Sequence, residues 1–217
     1  MSLAISVFCL ASGNEPEHVK FLEKEFKAIN VALKKKKYPA HEEPTKLPAK
    51  YKPRSMVNSF PNDCYRQLRR FYENACRFVR DPKQYPLKAR RKPAEIEEAE
   101  DWIADTLEYD FDSNLLCHSQ IDGYFLPLPE DGFLCGNGFA GNGMFGSSNG
   151  LLKELVFLAP HLKITLVENV LTDEEHAKVW AECHNAKNKY MSEITAWLTL
   201  FETATTSIQF NTAIVFH

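Results

Sequence analysis

Apolar residues recur every three or four positions over 15–37, at Val19, Leu22, Phe26, Ile29 and Leu33. That spacing puts them on one face of a helix. Pro16 suits its first turn, and the acidic start and Lys34–Lys37 end complement the helix dipole. A second stripe over 59–80 (Leu68, Phe71, Tyr72, Ala75, Cys76, Val79) follows helix-start chemistry at Pro61, Asn62 and Asp63. An acidic helix is predicted over 94–108, with Ile96, Ala99, Ile103 and Leu107 inward. Another spans 147–162, capped by Ser147, Ser148 or Asn149. The stretch 172–206 opens on a T-x-x-E capping box and reads as one long helix or two broken ones. Short unbroken apolar runs predict strands over 3–11, 163–169 and 207–217. The run 113–129 reads as a strand, a turn at 121–123, and a second strand stopped by Pro127 and Pro129.

Two Pro-rich loops (38–55 and 81–93) and one Gly-rich loop (132–150) separate these elements. The first is long enough to be mobile or functional. Strands and helices mix without a βαβ rhythm in the first half, which predicts an α+β fold. The expectation is one compact domain over 1–217, a mixed sheet with packed helices. A hydrophobic content of 44% suffices for a core. No apolar run is long enough for a membrane span. The N-terminal apolar run is short, lacks a basic flank and precedes acids, so it reads as a strand rather than a signal. The six cysteines are scattered without C-x-x-C pairs. They read as reduced thiols of a cytoplasmic protein.

The net charge of −3 conceals a split: residues 1–92 carry 21 Lys/Arg against 9 Asp/Glu, and 93–217 carry 5 against 20. Such asymmetry marks either a charged-partner surface or two halves that pack and offset each other. Arg66, Arg69, Arg70, Arg77 and the Lys34–Lys37 run form a candidate basic face. No RNA-binding or zinc-finger motif accompanies it, so nucleic acid is the lesser expectation.

Seven of the nine glycines fall in 132–150, where G-x-G-x-x-G occurs twice in overlap. Glu168 ends a predicted strand at the distance a ribose-binding acid requires. The motif nevertheless lacks a buried strand before it, and no P-loop lysine follows. A nicotinamide or flavin site is therefore not expected, nor any cofactor. The helix start at Ser147 and Ser148 remains, either as an anion-binding terminus or as a simple serine cap. His118 and Asp122 flank a turn and form a candidate base and orienting acid, with Ser119 or Cys117 as nucleophile. Their other reading is a local turn. His176 and His184 lie two helical turns apart, too far to chelate one ion, and no metal site is expected.

The segments 117–129, 144–162 and 197–217 resemble a family of uncharacterised bacterial proteins. The shared pattern is His-Ser-x-x-x-Gly-Tyr-x-x-Pro and Gly-Ser-Ser-x-x-Leu-Leu-x-Glu-Leu. His118, Ser119, Gly123, Tyr124, Pro127, Gly146, Ser147 and Ser148 fall on it. Gln120 and Phe125 depart from the family's Asp and Tyr. The resemblance implies a fold unit with two linked motifs and no known activity. Taken together, the residues predict binding of a protein partner or small ligand, away from membranes. The candidate surface comprises His118, Ser119, Asp122, Tyr124, Ser147, Ser148 and Arg70. The alternatives are a hydrolase using His118 and Asp122 with Ser147 or Ser148 nearby, or nucleic-acid binding by the basic half.

Overall fold

The computed structural model describes residues 2–11, 15–84, 86–87, 113–118, 122–129, 132, 134–138 and 143–217. The predicted acidic helix at 94–108 lies outside them, as do Ser119, Gly141 and part of the loop at 81–93. Six strands, β1 (Ser2–Val7), β2 (Ser59–Pro61), β3 (Gly123–Leu126), β4 (Leu134–Cys135), β5 (Met144–Ser147) and β6 (Ile214–Phe216), form one sheet. Their order is β2-β1-β6-β3-β5-β4. β3 and β5 run parallel and the other neighbours antiparallel. The described helices are α1 (Pro16–Lys35), α2 (Asn62–Arg80), α3 (Asn114–Cys117), α4 (Ser148–Leu158), α5 (Asp173–Glu182) and α6 (Met191–Phe210). The result is the α+β domain with a mixed sheet that the patterning predicts.

Side chains alternate across a strand, so the sheet serves two cores. Leu3, Ile5, Phe125, Ile214 and Phe216 pack with residues of α2, α4 and α6. Tyr124, Leu126, Phe145, Ala213 and Val215 pack with Leu22, Phe26, Ile29 and Leu33 of α1. Helix α6 is buried along most of its length because its polar positions satisfy themselves. Thr195, Thr199 and Thr203 each donate to a carbonyl four residues back.

The Pro-rich loop is held at both ends. Both the N–H and C=O of His41 bond the Asn30 amide, at 2.7 and 3.0 Å. The buried Glu43 carboxylate accepts from Thr212 Oγ1 at 2.6 Å, the Ala213 N–H at 2.7 Å and His41 Nε2 at 2.8 Å. Further along, the Arg54 guanidinium spans both oxygens of Glu202 and the Leu171 carbonyl. A loop without regular structure is thereby tied to α1, to the residues just before β6, and to α6.

Several sequence expectations fail locally. Residues 114–117 form a helix rather than a strand. Ser113 caps it, and the Glu154 carboxylate takes the Asn114 and Leu115 N–H groups, each at 2.7 Å. No strand forms over 163–169; Lys163, Glu168 and Asn169 adopt left-handed φ of 64°, 50° and 65°. Those angles bend the chain into a turn, with only a Val167–Val170 bridge. The predicted closing strand begins late because α6 continues to Phe210 and ends on left-handed Asn211. The 172–206 stretch is two helices, α5 and α6. Thr172 caps α5, while Glu175 turns to the Thr165 N–H.

The turn after α4 carries a pH-dependent element. His161 packs edge-on against Phe157 and Phe78, at 5.1 and 6.1 Å between ring centroids. Burial holds its imidazole below the ordinary histidine range. A depressed folded pKa means the unfolded chain binds the proton more readily. The resulting stability is present above the ordinary histidine pKa and is lost as pH falls through the folded value. Urea unfolding between about pH 7.5 and about pH 5 should show a shallower pH slope in His161→Leu than in the parent. Identical slopes would exclude the effect.

Candidate functional site

Of the residues singled out in the sequence, His118, Tyr124, Ser147, Ser148 and Arg70 lie in the interior rather than on an open surface. His118 is 2% exposed. Its ring stacks on Phe125, with centroids 4.0 Å apart and planes at 16°, and meets Phe216 edge-on at 4.5 Å. Tyr124 points to the opposite side of the sheet, where its hydroxyl donates to Glu25 Oε2 at 3.0 Å. Burial and then the Glu25 carboxylate push that phenol up, so it stays a neutral donor. Adjacent strand positions therefore send His118's stacking partner and Tyr124 into different cores. Asp122 is half-buried at the start of β3.

The Gly-Ser-Ser motif is a strand-to-helix junction. Ser147 caps α4 by accepting from the Gly150 N–H at 3.2 Å. Ser148 Oγ lies 2.7 Å from Ser207 Oγ, and both serines are fully buried. The helix start is a serine cap in the core, not an exposed anion terminus. Asn114 Oδ1 accepts from the Ser147 N–H at 2.8 Å. Together with Glu154, this joins the two motifs of the sequence into one packing unit.

Gly136, Gly138 and Gly143 lie between the antiparallel strands β4 and β5. The Gly136 N–H bonds the Gly143 carbonyl at 2.7 Å. Glu168 occupies the left-handed turn described above, not the end of a strand. A dinucleotide fingerprint needs a strand on each side of its helix, and here the second strand does not form.

Nor do the arginines of α2 form a basic face. Arg69 and Arg70 are buried; Arg69 donates to the Leu116 carbonyl, and Arg77 pairs with Glu73 at 3.0 Å. Of the candidates Arg66, Arg69, Arg70 and Arg77, Arg66 alone is exposed. Surface charge follows a different division. Lys20, Lys24, Lys27 and Lys34–Lys37 are exposed on α1, on one side of the sheet. On the α5 side both signs are exposed, Glu168, Asp173 and Glu174 together with Lys163, Lys178, Lys187 and Lys189. Asp173 and Glu174 sit in the first turn of α5, where the helix dipole stabilises them. Arg54 joins the halves through Glu202 and Asp173, but the α1 lysines remain facing solvent. The two halves thus share a core and offset part of each other's charge through Arg54.

None of the six cysteines is in a disulfide. Among the described residues no cluster of His, Cys, Asp and Glu could hold a metal ion. No described helix is long and apolar enough to cross a membrane.

A family model described as "Putative DNA-mimic protein" matches residues 1–216. No curated protein and no solved structure matches the chain. The family match corrects the functional reading of the residues. It points to binding of a DNA-binding protein, which agrees with a protein partner and displaces the small ligand. It supports neither a hydrolase built on His118 and Asp122 nor nucleic-acid binding through the basic half. The burial of His118, Ser147, Ser148, Arg69 and Arg70 supplies the physical reason: a reacting or phosphate-contacting group must reach its substrate.

Proposed function

We propose, from the premise that this chain belongs to the "Putative DNA-mimic protein" family, that it occupies the DNA-binding surface of a partner protein. Carboxylates would stand where that partner ordinarily meets phosphates. DNA presents one negative charge per ~1.7 Å of helix axis, so a mimic needs a comparably dense run of anions. Residues 94–112 hold nine Asp/Glu in nineteen positions, with no Lys or Arg. That density is the observation that carries the reading.

The experiment is competition with DNA. The immobilised protein should retain DNA-binding proteins from host-cell extract, and free duplex DNA should release them. Neutralising Glu95, Glu97, Glu98, Glu100 and Asp101 to Gln and Asn should weaken retention at least ~10-fold, because each removed charge lowers the electrostatic contribution. The remaining affinity should also fall less steeply with salt. Retention indifferent to both DNA and charge neutralisation would overturn the proposal.

A further inference from the structure

The acidic half of the chain concentrates its few cations in one place. Residues 93–217 contain five Lys/Arg in all: Lys153, Lys163, Lys178, Lys187 and Lys189 make up the set. Four of the five, all but Lys153, line one cavity of about 480 Å³ between α5, the turn before it and the start of α6. Two carboxylates share that lining, Glu175 and Glu182. Scattered solubilising lysines would not gather this way on a half so short of cations.

The geometry fixes the lysines rather than leaving them on loose chain. Lys163 is held at a left-handed φ of 64°, a conformation that disfavours a side chain and aims this one from a tight turn. The loop carrying Lys187 and Lys189 is pinned by two amides. Asn185 Nδ2 and Asn188 Nδ2 both donate to Glu182 Oε2, at 3.0 and 2.6 Å. Asn185 Oδ1 accepts the Lys187 N–H and Asn188 Oδ1 the Tyr190 N–H. The Glu182 carboxylate is thus committed to shaping the loop. Glu175 accepts from the Thr165 N–H and from Lys178 at 3.0 Å. These contacts, the backbone bond first, hold its carboxyl below the usual range, so it stays ionised. Four lysines against two carboxylates leave an excess of positive charge. The side of the cavity formed by Leu162, Ile164, Val179 and Ile194 is apolar.

We infer that this cavity binds a small phosphate monoester, its phosphate on the lysines and its short organic body against the aliphatic wall. The donor type selects phosphate over carboxylate. A planar carboxylate is best matched by the fork of arginine, whereas lysine serves phosphate as a point charge. No arginine lines the cavity. Its volume falls within the range of small-molecule sites. The cavity's lining residues all come from 162–194, outside the acid-rich 94–112 segment, so its test is distinct from that of the DNA-mimic reading.

Calorimetric titration of the full chain with glycerol phosphate, and separately with inorganic phosphate, tests this. Glycerol phosphate should bind saturably, more tightly than inorganic phosphate, because the latter lacks the organic body. The double variant Lys187→Gln/Lys189→Gln should weaken binding about tenfold, equivalent to removing two exposed charge contacts. Lys153→Gln, which lies off the cavity, should leave it unchanged. Both variants alter exposed side chains, and unchanged thermal unfolding would confirm that they fold. No saturable heat up to about 10 mM ligand would overturn the inference. So would binding that Lys153→Gln weakens as much as the double variant, which would indicate diffuse charge attraction. Equal affinity for inorganic phosphate would remove the organic body from the assignment.

Discussion

Replacing Glu43 by alanine should destabilise the fold by about 4 kcal/mol, the scale for breaking a buried charged network from one side. For a chain of this length that corresponds to a fall of about 12 °C in Tm. The Glu43 side chain is 1% exposed. Its removal leaves the Ala213 N–H, the Thr212 hydroxyl and the His41 ring without their acceptor, and water cannot readily replace it. The damage extends further, because Thr212 Oγ1 in turn accepts the Phe8 N–H at 2.8 Å. Phe8 has a left-handed φ of 54°, so this chain of bonds holds a bulky residue in an unfavourable conformation at the end of β1. Glu43→Gln keeps one acceptor oxygen and should lose about half as much. Chemical denaturation of the three proteins checks this order. An alanine variant as stable as the parent would show that the loop is not anchored through Glu43.

Gly146→Ala should cost about 3 kcal/mol, at the upper end for forcing extra volume into a packed core. A β-carbon there would stand 2.5 Å from two Phe125 ring carbons and 2.9 Å from Asn114 Oδ1. Neither neighbour can give way. Phe125 is clamped by the His118 stack, and Asn114 is holding the Ser147 N–H. The Gly146 requirement is therefore one of side-chain room: the Phe125 ring of β3 and the Asn114 amide occupy the space beside the β5 backbone. Phe125→Leu in the same chain should relieve part of the clash, making the double variant less damaged than the sum of the singles. Strict additivity in thermal unfolding would place the cost elsewhere. Loss of the His118–Phe125 stack should also alter the His118 ring resonances in the double variant.

Helix-forming segments were legible where one apolar face ran for several turns. α1 and α2 repeat their buried positions over 20 and 19 residues, long enough for the 3.6 period to stand out. β2 and β5 were not legible, because three or four residues contain no usable period. α3 was read as a strand for a related reason: Leu115–Cys117 is an apolar run too short to show a period. What makes it helical is Glu154, 40 positions away, satisfying its first N–H groups. The strand expected at 163–169 failed because three residues other than glycine take left-handed angles. Composition assigns those angles to glycine, so nothing local announced them.

The candidate site was legible as residues but not as a place. The two motifs centred on His118 and Ser147–Ser148 do meet, yet they meet as packing, with the imidazole between aromatic rings and the serines capping and bracing α4. A motif records which side chains are needed together, and a core and a catalytic pocket can need the same ones. Burial separates the two cases, and burial depends on what the rest of the chain lays over the site.

The sequence by itself determined the α+β class, the major amphipathic helices and the opposite charge of the two halves, since these depend on local periodicity and on counts. The tertiary structure alone decided which charges remain on the surface. It buried Arg69 and Arg70 while leaving the α1 lysines exposed, drew Glu43 from a proline-rich loop into the core, and gathered four distant lysines around one cavity. Each of these outcomes turns on contacts between segments tens of residues apart, and such contacts are set by how the layers pack rather than by any neighbour in the chain.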